Sequence, residues 1–429
     1  MNDAIERMRR DWDARATENA KYYVACQKCD QGDSEFYGGA PEIVARVRRD
    51  YVFLRAHASE CRFLEIGCGL GRLMLSLAPD CREIHGVDIS PKMIAAAKAK
   101  LSGIPNLHLS VAENSDLGAY SDSCFDLAYS YAVFQHIPDR ALIFRYLDET
   151  FRVLRPGGIF VGHFNGTAPS EARCDTWVGQ WVTSEELYAY ARERGWRVLC
   201  REGAGSPYLW LTMRKPDSLT SPRSPVAARI ASVGHVSGGR DLVAGGPLGF
   251  ATLYATGISD EACSATEISA LIGSRPAPSC YLGPATGDQP RQINIQVPED
   301  TPVGEQDLVL QWNGQPISNA VRVNVVERSQ VAPRVVAITD GRNILTKGII
   351  SCGIMQVSLE ECHQIDTLQI AIGERPAEHS PAFCVEPLSR FYQVNVSVPM
   401  GMSGTQPVSI SVDGYQLPPV EIEIQPHAG

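Results

Sequence analysis

The sequence predicts an α/β domain built on a parallel sheet, followed by two all-β modules. Three observations support this fold class. Apolar strand-like runs alternate with helical spacing through the first 216 residues, and several runs end in glycine or in a carboxylate. After a stretch rich in proline and serine, short alternating β-branched runs replace the helical spacing. Within that second part, sequence patterns recur about 100 residues apart, which indicates a duplicated module.

The first strand of the α/β domain ends in a glycine turn. Residues 64–72 (LEIGCGLGR) are an apolar run that contains Glu65 and then Gly67, Gly69 and Gly71. This pattern predicts a buried parallel strand that turns tightly into a helix and leaves bare backbone for a ligand. A dinucleotide fingerprint would need G-x-G-x-x-G, whereas the spacing here is G-x-G-x-G. Because a carboxylate facing the ligand would repel a diphosphate, we expect a nucleoside with an ammonium or a sulfonium.

This turn resembles the first signature of S-adenosylmethionine-dependent class I methyltransferases, which have a seven-stranded Rossmann-like fold. The resemblance implies S-adenosylmethionine as the cofactor and a methyltransferase activity. Other nucleotide-binding α/β domains and a purely structural glycine turn are the alternatives.

The second strand ends in a carboxylate that suits a ribose. Residues 83–90 (EIHGVDIS) predict a strand that closes with Asp88, about twenty residues after the glycine turn. The two oxygens of Asp88 can accept hydrogen bonds from both ribose hydroxyls. The alternative is that Asp88 caps the next helix, although Ser90 is the more natural cap.

The third strand precedes a polar loop. Residues 107–111 predict this strand, and residues 113–117 follow it. The resemblance implies that this loop holds the adenine, with Glu113 or Asn114 accepting from the exocyclic amine.

The remaining strands complete the alternation. Residues 125–134 predict the fourth strand, and residues 159–164 predict the fifth after a helix and a Pro-Gly-Gly break at 156–158. Residues 196–200 and 208–213 can serve as the sixth and seventh strands. By the resemblance, which covers about residues 8–216, this last pair forms the antiparallel edge of the sheet. The residues expected to bind the cofactor are Tyr23, Glu65, Gly67, Gly69, Gly71, Asp88, Ile89, Met93, Glu113, Asn114, Ser130, Tyr131 and Gln135.

Three polar residues after strands four and five are candidates for the catalytic chemistry. Methyl transfer from a sulfonium needs positioning and exclusion of water, and an acceptor with a high pKa also needs a base. His136 is one candidate, and its alternative role is to order the turn before Ile137. His163 and Asn165 should share one face near the end of a strand, where α/β sheets bind ligands. As the titratable member of that pair, His163 is the better base candidate.

The N-terminal segment predicts an amphipathic helix that leads to Tyr22 and Tyr23. Residues 11–16 (DWDARA) resemble the cap that many of these enzymes fold over the cofactor. We therefore expect residues 1–45 to form a helical cap. The alternative is an extra helix that packs on the sheet.

The charge balance argues against a nucleic-acid partner. The chain carries 39 Lys and Arg residues against 49 Asp and Glu residues, a net charge of −10, and no basic stripe stands out. Residues 1–13 lack the apolar core of a secretory signal, and no run approaches a membrane span. We predict a cytoplasmic protein.

The cysteines predict neither a metal site nor a fixed set of disulfides. Of the 13 cysteines, Cys26 and Cys29 form a C-x-x-C with no second pair at zinc-finger spacing. In the all-β part, Cys263 pairs with Cys280 in position, as Cys362 does with Cys384. Two disulfides or four buried thiols would fit, and a cytoplasmic location favours the thiols.

The second part of the chain predicts two β-sandwiches. After a linker at 217–227, residues 228–330 and 331–429 form the two copies: IGSRPA at 272–277 returns as IGERPA at 372–377. In each copy, a later strand enters an Asn-Gly or Asp-Gly hairpin turn. The copies resemble immunoglobulin-like modules of the IPT/TIG kind. Binding of a carbohydrate or a protein, homo-oligomerisation through sheet faces and simple spacing are the roles left open.

The leading hypothesis is a methyltransferase whose acceptor is a small molecule, a saccharide or a lipid-linked compound. A protein methyltransferase and a non-catalytic cofactor-binding scaffold are the alternatives.

Overall fold

The computed structural model describes most of the chain. The described residues are 2–25, 31–38, 40–112, 117–167, 175–217, 228–235, 240–245, 249–258, 264–285, 289–326, 332–341, 348–362, 364–380, 382–386 and 391–425. The α-helices among them are α1 (Asn2–Ala25), α2 (Asp33–Gly38), α3 (Pro41–Arg49), α4 (Arg72–Leu77), α5 (Pro91–Leu101), α6 (Arg140–Val153) and α7 (Ser184–Arg194). No helix in these ranges is both long enough and apolar enough to cross a membrane.

The first part of the chain has the predicted α/β fold. Its strands are β1 (Arg62–Ile66), β2 (Glu83–Asp88), β3 (Leu107–Val111), β4 (Phe125–Ser130), β5 (Leu154–Phe164), β6 (Arg197–Glu202) and β7 (Leu209–Arg214). Their order in the sheet is β3-β2-β1-β4-β5-β7-β6. Strands β1 to β5 pair in parallel, whereas β7 runs antiparallel to both β5 and β6. The predicted Rossmann-like sheet with an antiparallel last pair is therefore confirmed.

Two strand boundaries differ from the sequence-based expectation. Strand β4 ends at Ser130, because Ala132 has a positive φ of 56° and a 3₁₀ turn follows at Phe134–His136. Strand β5 begins directly after α6, so the Pro-Gly-Gly stretch lies inside the strand instead of breaking it. The reason is that Gly157 and Gly158 exchange hydrogen bonds of 2.8 and 2.9 Å with the backbone of Lys215, which extends the ladder past β7.

Helix α1 is fastened to the start of α5. The Ser90 hydroxyl donates to Asp13 Oδ1 at 2.5 Å, and the Lys92 amide donates to the same oxygen at 3.1 Å. Ser90 also caps α5 by accepting from the Met93 amide. The positive end of the α5 dipole thus meets the Asp13 carboxylate, which holds the N-terminal helix on the sheet.

Part of the predicted first β module continues the sheet of the α/β domain. The strands between 228 and 326 are β8 (Arg229–His235), β9 (Asp241–Val243), β10 (Phe250–Thr256), β11 (Ile268–Ile272), β12 (Arg275–Leu282), β13 (Arg291–Gln296), β14 (Gly304–Trp312), β15 (Gln315–Pro316) and β16 (Val321–Val326). Strand β12 pairs antiparallel with β6 through Tyr281 and Cys200. The Val198 amide donates to the Ser264 hydroxyl at 3.0 Å, and the Val198 carbonyl accepts from the Ala265 amide at 2.8 Å. Edge strand β6 is therefore covered by residues from the all-β part.

The chain divides into two compact units. One contains residues 1–233, 252–295 and 307–321, and the other contains residues 234–251, 296–306 and 322–429. This division runs through the predicted module at 228–330, and the scheme of one α/β domain, a linker and two modules stays a prediction.

The second unit contains two sheets formed by residues 332–425. Their strands are β17 (Arg334–Asp340), β18 (Ile349–Ile350), β19 (Ile354–Glu360), β20 (Gln369–Ile372), β21 (Arg375–Pro376), β22 (Phe383–Glu386), β23 (Phe391–Ser397), β24 (Gly404–Val412), β25 (Tyr415–Gln416) and β26 (Val420–Ile424). One sheet has the order β17-β19-β23-β22, and the other has the order β18-β26-β24-β20-β21 with β25 beside β24. Buried aliphatic residues of both sheets, such as Val357, Val396 and Ile410, share one core.

The predicted hairpin turns are present in both copies. Asn313 and Gly314, with φ values of 47° and 78°, connect β14 to β15. Asp413 and Gly414, at 55° and 78°, connect β24 to β25 in the same way. Positive φ at both turn residues is the type I′ geometry that Asn-Gly and Asp-Gly favour.

The structure describes the side chains of two of the four cysteines that the sequence pairs in the β part. Cys280 and Cys362 are buried free thiols. Cys263 and the side chain of Cys384 lie outside the described residues, as do Cys26 and Cys29.

Candidate active site

A cavity of about 440 Å³ lies at the carboxyl ends of the parallel strands. Eight of the residues predicted to bind the cofactor line it, and so do two of the predicted catalytic residues. These are Tyr23, Gly67, Gly69, Asp88, Ile89, Met93, Tyr131 and Gln135, together with His136 and His163. The sequence-predicted residues thus converge on one site, as expected for an open α/β sheet.

The glycine turn forms the floor of this cavity. Gly67, Gly69 and Gly71 have φ values of 73°, 51° and 73°, which residues with a side chain rarely adopt. A Cβ on Gly67 would lie 2.3 Å from the Val133 side chain, so any larger residue would fill the cradle. Gly71 does not line the cavity. It begins α4, where a Cβ would lie 2.5 Å from Leu101, and its role is close packing.

Asp88 stands at the end of β2 with both carboxylate oxygens facing backbone amides. The Gly69 amide donates to Oδ2 at 2.8 Å, and the Ser90 amide donates to Oδ1 at 2.9 Å. Because α5 is capped by Ser90, Asp88 is not its cap. Each oxygen keeps a further lone pair, so the carboxylate can still accept from two vicinal hydroxyls of a ligand.

Glu65 lies beneath the glycine turn and is not part of the cavity wall. Its side chain is 4 % exposed, and Oε2 accepts a hydrogen bond of 2.9 Å from the Tyr129 hydroxyl. Burial raises the pKa of Glu65 to about 8, against the opposing effect of the Tyr129 hydrogen bond. The expected anion facing the ligand is therefore a buried carboxyl group that is largely protonated at neutral pH.

The raised pKa of Glu65 makes stability depend on pH. The folded protein holds a proton on Glu65 up to about pH 8, whereas an unfolded glutamate releases it at a pH of roughly 4. The folded state thus binds more protons in this window, and the contribution of Glu65 to the free energy of unfolding falls as the pH rises through it. We expect Glu65→Gln, which cannot titrate, to gain in melting temperature over the native protein from pH 5 to pH 8. A constant difference between the two proteins over this range would contradict the assignment.

The other residues predicted to bind the cofactor are Ser130, Glu113 and Asn114. The buried Ser130 hydroxyl donates to the Ile66 carbonyl at 3.0 Å and joins β4 to β1, away from the cavity wall. Glu113 and Asn114, predicted to hold the adenine, lie outside the described residues.

Helix α1 forms a wall of the cavity, which favours the predicted cap over a helix that only packs on the sheet. Met8, Trp12 and Tyr23 from α1 are lining residues. Next to them, the Arg15 guanidinium lies 4.7 Å from the Trp12 ring and 5.3 Å from the Trp177 ring. It also donates to the Thr176 carbonyl at 3.0 Å, so Arg15 joins α1 to the segment around Trp177.

The two tryptophans in the segment after β5 have different environments. Trp177 lines the cavity, whereas the Trp181 ring packs under the Arg140 guanidinium. Met8, Trp12 and Tyr208 are lining residues that the sequence did not single out as ligand contacts. Trp12 lies in the segment that resembles the cap but was not named as a contact, whereas Met8 and Tyr208 lie in segments with no local motif.

His136 has a proton on Nδ1 and a lone pair on Nε2. Its Nδ1 is 2.7 Å from the Trp177 carbonyl oxygen, which can only accept, so Nδ1 donates. The Gln135 side-chain amide lies 3.3 Å from Nε2 and donates to it. Burial lowers the pKa of His136 to about 4, with Arg15 adding to the effect. His136 thus orders its turn, as the alternative interpretation held, and also presents a neutral imidazole to the cavity.

His163 has the opposite tautomer. The Ala132 amide donates to its Nδ1 at 3.4 Å, and burial lowers the pKa of His163 to about 3, with smaller effects of Arg46 and His136. A neutral ring that accepts on Nδ1 carries its proton on Nε2. Nε2 is buried, and no residue in the described part of the chain accepts from it. His163 therefore contributes a donor, whereas the sequence suggested a base.

Asn165 does not share the cavity wall with His163. Its Oδ1 accepts from the Thr167 amide at 3.2 Å and closes a local turn after β5 ends at Phe164. The expected strand alternation stops one residue too early to bring both side chains to the ligand.

One group of side chains has metal-ligand geometry, away from the cavity. In the described ranges, ligand atoms of Glu83, His85 and His108 lie within 4.8 Å of one another. The Arg62 guanidinium donates to Glu83 at 2.8 Å and lies 3.2 Å from His85 Nε2. Because this cation already neutralises the carboxylate, the group is best explained as a polar cluster on the sheet.

Comparison with known proteins agrees with this geometry. Residues 64–162 match the family described as "Methyltransferase domain". A ubiquinone biosynthesis O-methyltransferase from Xanthomonas oryzae pv. oryzae is 31% identical over 123 residues, which are 28% of this chain and 50% of that protein. A sterol 4-C-methyltransferase from Caenorhabditis elegans is 34% identical over 100 residues, 23% of this chain and 29% of the relative. The chain spans about half the length, or less, of these curated relatives.

Among solved structures, an S-adenosylmethionine-dependent methyltransferase from Aquifex aeolicus aligns with 46% of this chain and 98% of its own. The sequence identity is 15% and the TM-score is 0.34.

Proposed function

We propose that this protein is an S-adenosylmethionine-dependent methyltransferase that acts on a hydroxyl group of a small molecule. The observation that supports this proposal is the meeting of the glycine turn, Asp88 and His136 in one cavity within a chain segment that matches a methyltransferase domain.

The residues of the cavity fit the cofactor. Backbone at Gly67 and Gly69 leaves a cradle that a Cβ would fill, and Asp88 offers two accepting oxygens for a ribose. Ile89 and Met93 supply apolar wall for a base. When bound, S-adenosylmethionine supplies an electrophilic methyl group whose leaving group is a neutral thioether.

His136 receives the proton that the acceptor must lose. Its Nδ1 proton is anchored on the Trp177 carbonyl, and its Nε2 lone pair accepts from the Gln135 side-chain amide, which must turn away before Nε2 can take a proton. A hydroxyl oxygen that gains a methyl group would carry a positive charge until its proton leaves, and such a proton is far more acidic than imidazolium. A base with a pKa of about 4 is therefore sufficient, and it stays neutral at every pH above that value.

The cap favours a small acceptor over a protein side chain. Trp12 and Tyr23 from α1 and Trp177 together form part of the wall, and Arg15 fastens this arrangement. Exclusion of water by such a cap suits methyl transfer. The relatives named above also carry small-molecule acceptors in their names, which agrees with this part of the proposal.

One broader assignment belongs to the same proposal. The two sheets and shared core of residues 332–425, with the repeated hairpin turns, support immunoglobulin-like modules of the IPT/TIG kind.

Turnover tests the proposal directly. S-adenosylhomocysteine release would be followed over a panel of small hydroxyl compounds, with cofactor binding measured separately by calorimetry. We expect His136→Ala to lower turnover on an identified acceptor by about 100-fold or more while S-adenosylhomocysteine still binds. His379→Ala, which changes an exposed histidine of the second unit, is the matched control. Failure of the native protein to bind either cofactor form would refute the proposal, and unchanged turnover in His136→Ala would refute the base.

A further inference from the structure

We propose that His163 is a hydrogen-bond donor that selects the acceptor, which is a flat, uncharged compound with an ether or carbonyl oxygen besides its reacting hydroxyl. This inference rests on the proposed function and names the substrate class of the same cavity.

His163 is a neutral ring that carries its proton on Nε2. The ring is 1 % exposed and lines the cavity, and its Nδ1 accepts from the Ala132 amide of the chain that follows β4. The proton is consequently on Nε2, which makes that atom a donor and removes its lone pair from proton transfer. His136 and His163 thus divide two roles: one accepts a proton and the other donates a hydrogen bond.

The Nε2 donor of His163 lacks a protein partner among the described residues. A buried donor without a partner is costly, and a ligand oxygen that accepts from it recovers that cost. A ligand with a methylene group at the same place leaves the donor unpaired. Sites of this kind discriminate strongly against analogues that lack the polar atom.

The aromatic side chains around His163 favour a flat acceptor. The ring of His163 lies 5.2 Å from the Tyr131 ring and 5.9 Å from the Tyr208 ring, and both tyrosines line the cavity. Tyr131 is itself held by stacking on Trp210 at 5.6 Å with an interplanar angle of 7°. Rigid aromatic walls of this kind suit a flat ring.

The described lining residues favour an uncharged acceptor. The charged side chains among the described lining residues are Arg72 and Asp88, both adjacent to the glycine turn. At the other end, His136 and His163 are neutral, because burial holds the pKa values of both rings near 4 and 3. Beside these two rings, an anionic or cationic acceptor would therefore lose its hydration without gaining a charged partner among the described lining residues.

Matched phenols test the inference in the complex with S-adenosylhomocysteine. The probes are 2-methoxyphenol against 2-ethylphenol and 4-methoxyphenol against 4-ethylphenol, which differ by an oxygen in place of a methylene group. We expect the native protein to bind one methoxy compound about tenfold more tightly than its ethyl partner in ligand-observed NMR titrations. His163→Phe, which keeps a ring without a donor, should lose this preference, whereas His163→Gln should retain part of it.

The outcomes separate this inference from the proposed function. Binding of S-adenosylhomocysteine with no preference in any pair, or a preference that persists in His163→Phe, would overturn the role of His163. Binding of the cofactor product without binding of any phenol would overturn the flat acceptor. Nitrogen-15 NMR of the native complex at neutral pH gives a check that needs no variant: a proton found on Nδ1 of His163 would contradict the donor assignment.

Discussion

Asp88→Ala is expected to weaken the binding of S-adenosylhomocysteine by about 100-fold, equivalent to about 2.7 kcal/mol. Hydrogen bonds to a charged group contribute about 1.5–3 kcal/mol each, and the carboxylate can accept from two ribose hydroxyls. The substitution also releases the Gly69 and Ser90 amides, which position the glycine turn and the start of α5. Calorimetric titration measures the loss.

Two further variants control this experiment. Asp88→Asn keeps one accepting oxygen but turns N–H groups toward one of the backbone donors, so an intermediate loss is expected. Glu83→Ala removes a carboxylate from the other end of β2, where its partners are Arg62 and His85, and should leave cofactor binding unchanged. Native-like affinity in Asp88→Ala would exclude the ribose assignment.

Ending the chain at Asp217 is expected to lower the melting temperature by about 10 °C or more, or to make the protein aggregate. Strand β6 would lose its pairing with β12, and Val198 would lose both of its backbone hydrogen bonds to residues 264 and 265. Tyr281 would leave a core in which it packs 5.9 Å from Phe53. Two hydrogen bonds of about 1 kcal/mol each and a lost aromatic contact are a large part of a typical stability of about 5–15 kcal/mol.

Full-length variants refine this second prediction. Tyr281→Ala should reproduce part of the loss in a thermal melt, whereas Tyr254→Ala, at a site that is 42 % exposed, should cause almost none. A chain ending at Asp217 that melts with the full-length protein would contradict the structural role of β12.

The sequence predicted the α/β fold well because its signals are local. The glycine turn, the acid at the end of β2 and the helix between β4 and β5 are each encoded by residues that are neighbours in the sequence. The pairing of β6 with β12 had no such signal, because Cys200 and Tyr281 are far apart in sequence and each lies in an ordinary strand pattern. A proline- and serine-rich stretch at 217–227 suggested separation, whereas the residues after it return to the edge of the same sheet.

Several of the residues expected in the site line one cavity, whereas their protonation states could not be predicted from sequence. Asp88, His136 and His163 all reach the cavity, as expected from strand ends. The tautomers of the two histidines depend on the Trp177 carbonyl and the Ala132 amide, which no residue type encodes. Glu65 likewise reads as an anion in sequence, yet burial under the turn raises its pKa.

Aromatic residues of the β part show the same limit. In β domains, isolated aromatic residues such as Tyr254 and Tyr415 are core residues more often than surface residues. They are 42 % and 43 % exposed. A single aromatic residue in an alternating strand does not reveal which face of the strand it occupies.

The two hairpin turns of the predicted repeat share one backbone geometry. Asn313-Gly314 and Asp413-Gly414 keep the same backbone shape, although the residues around them differ between the copies. Since few residues tolerate positive φ, such a turn can accept little substitution, whereas exposed strand positions drift freely. If the two segments are copies of one module, as the sequence predicts, their turn spacing should be retained more strictly than their side chains, and similar segments in other chains are best sought by that spacing.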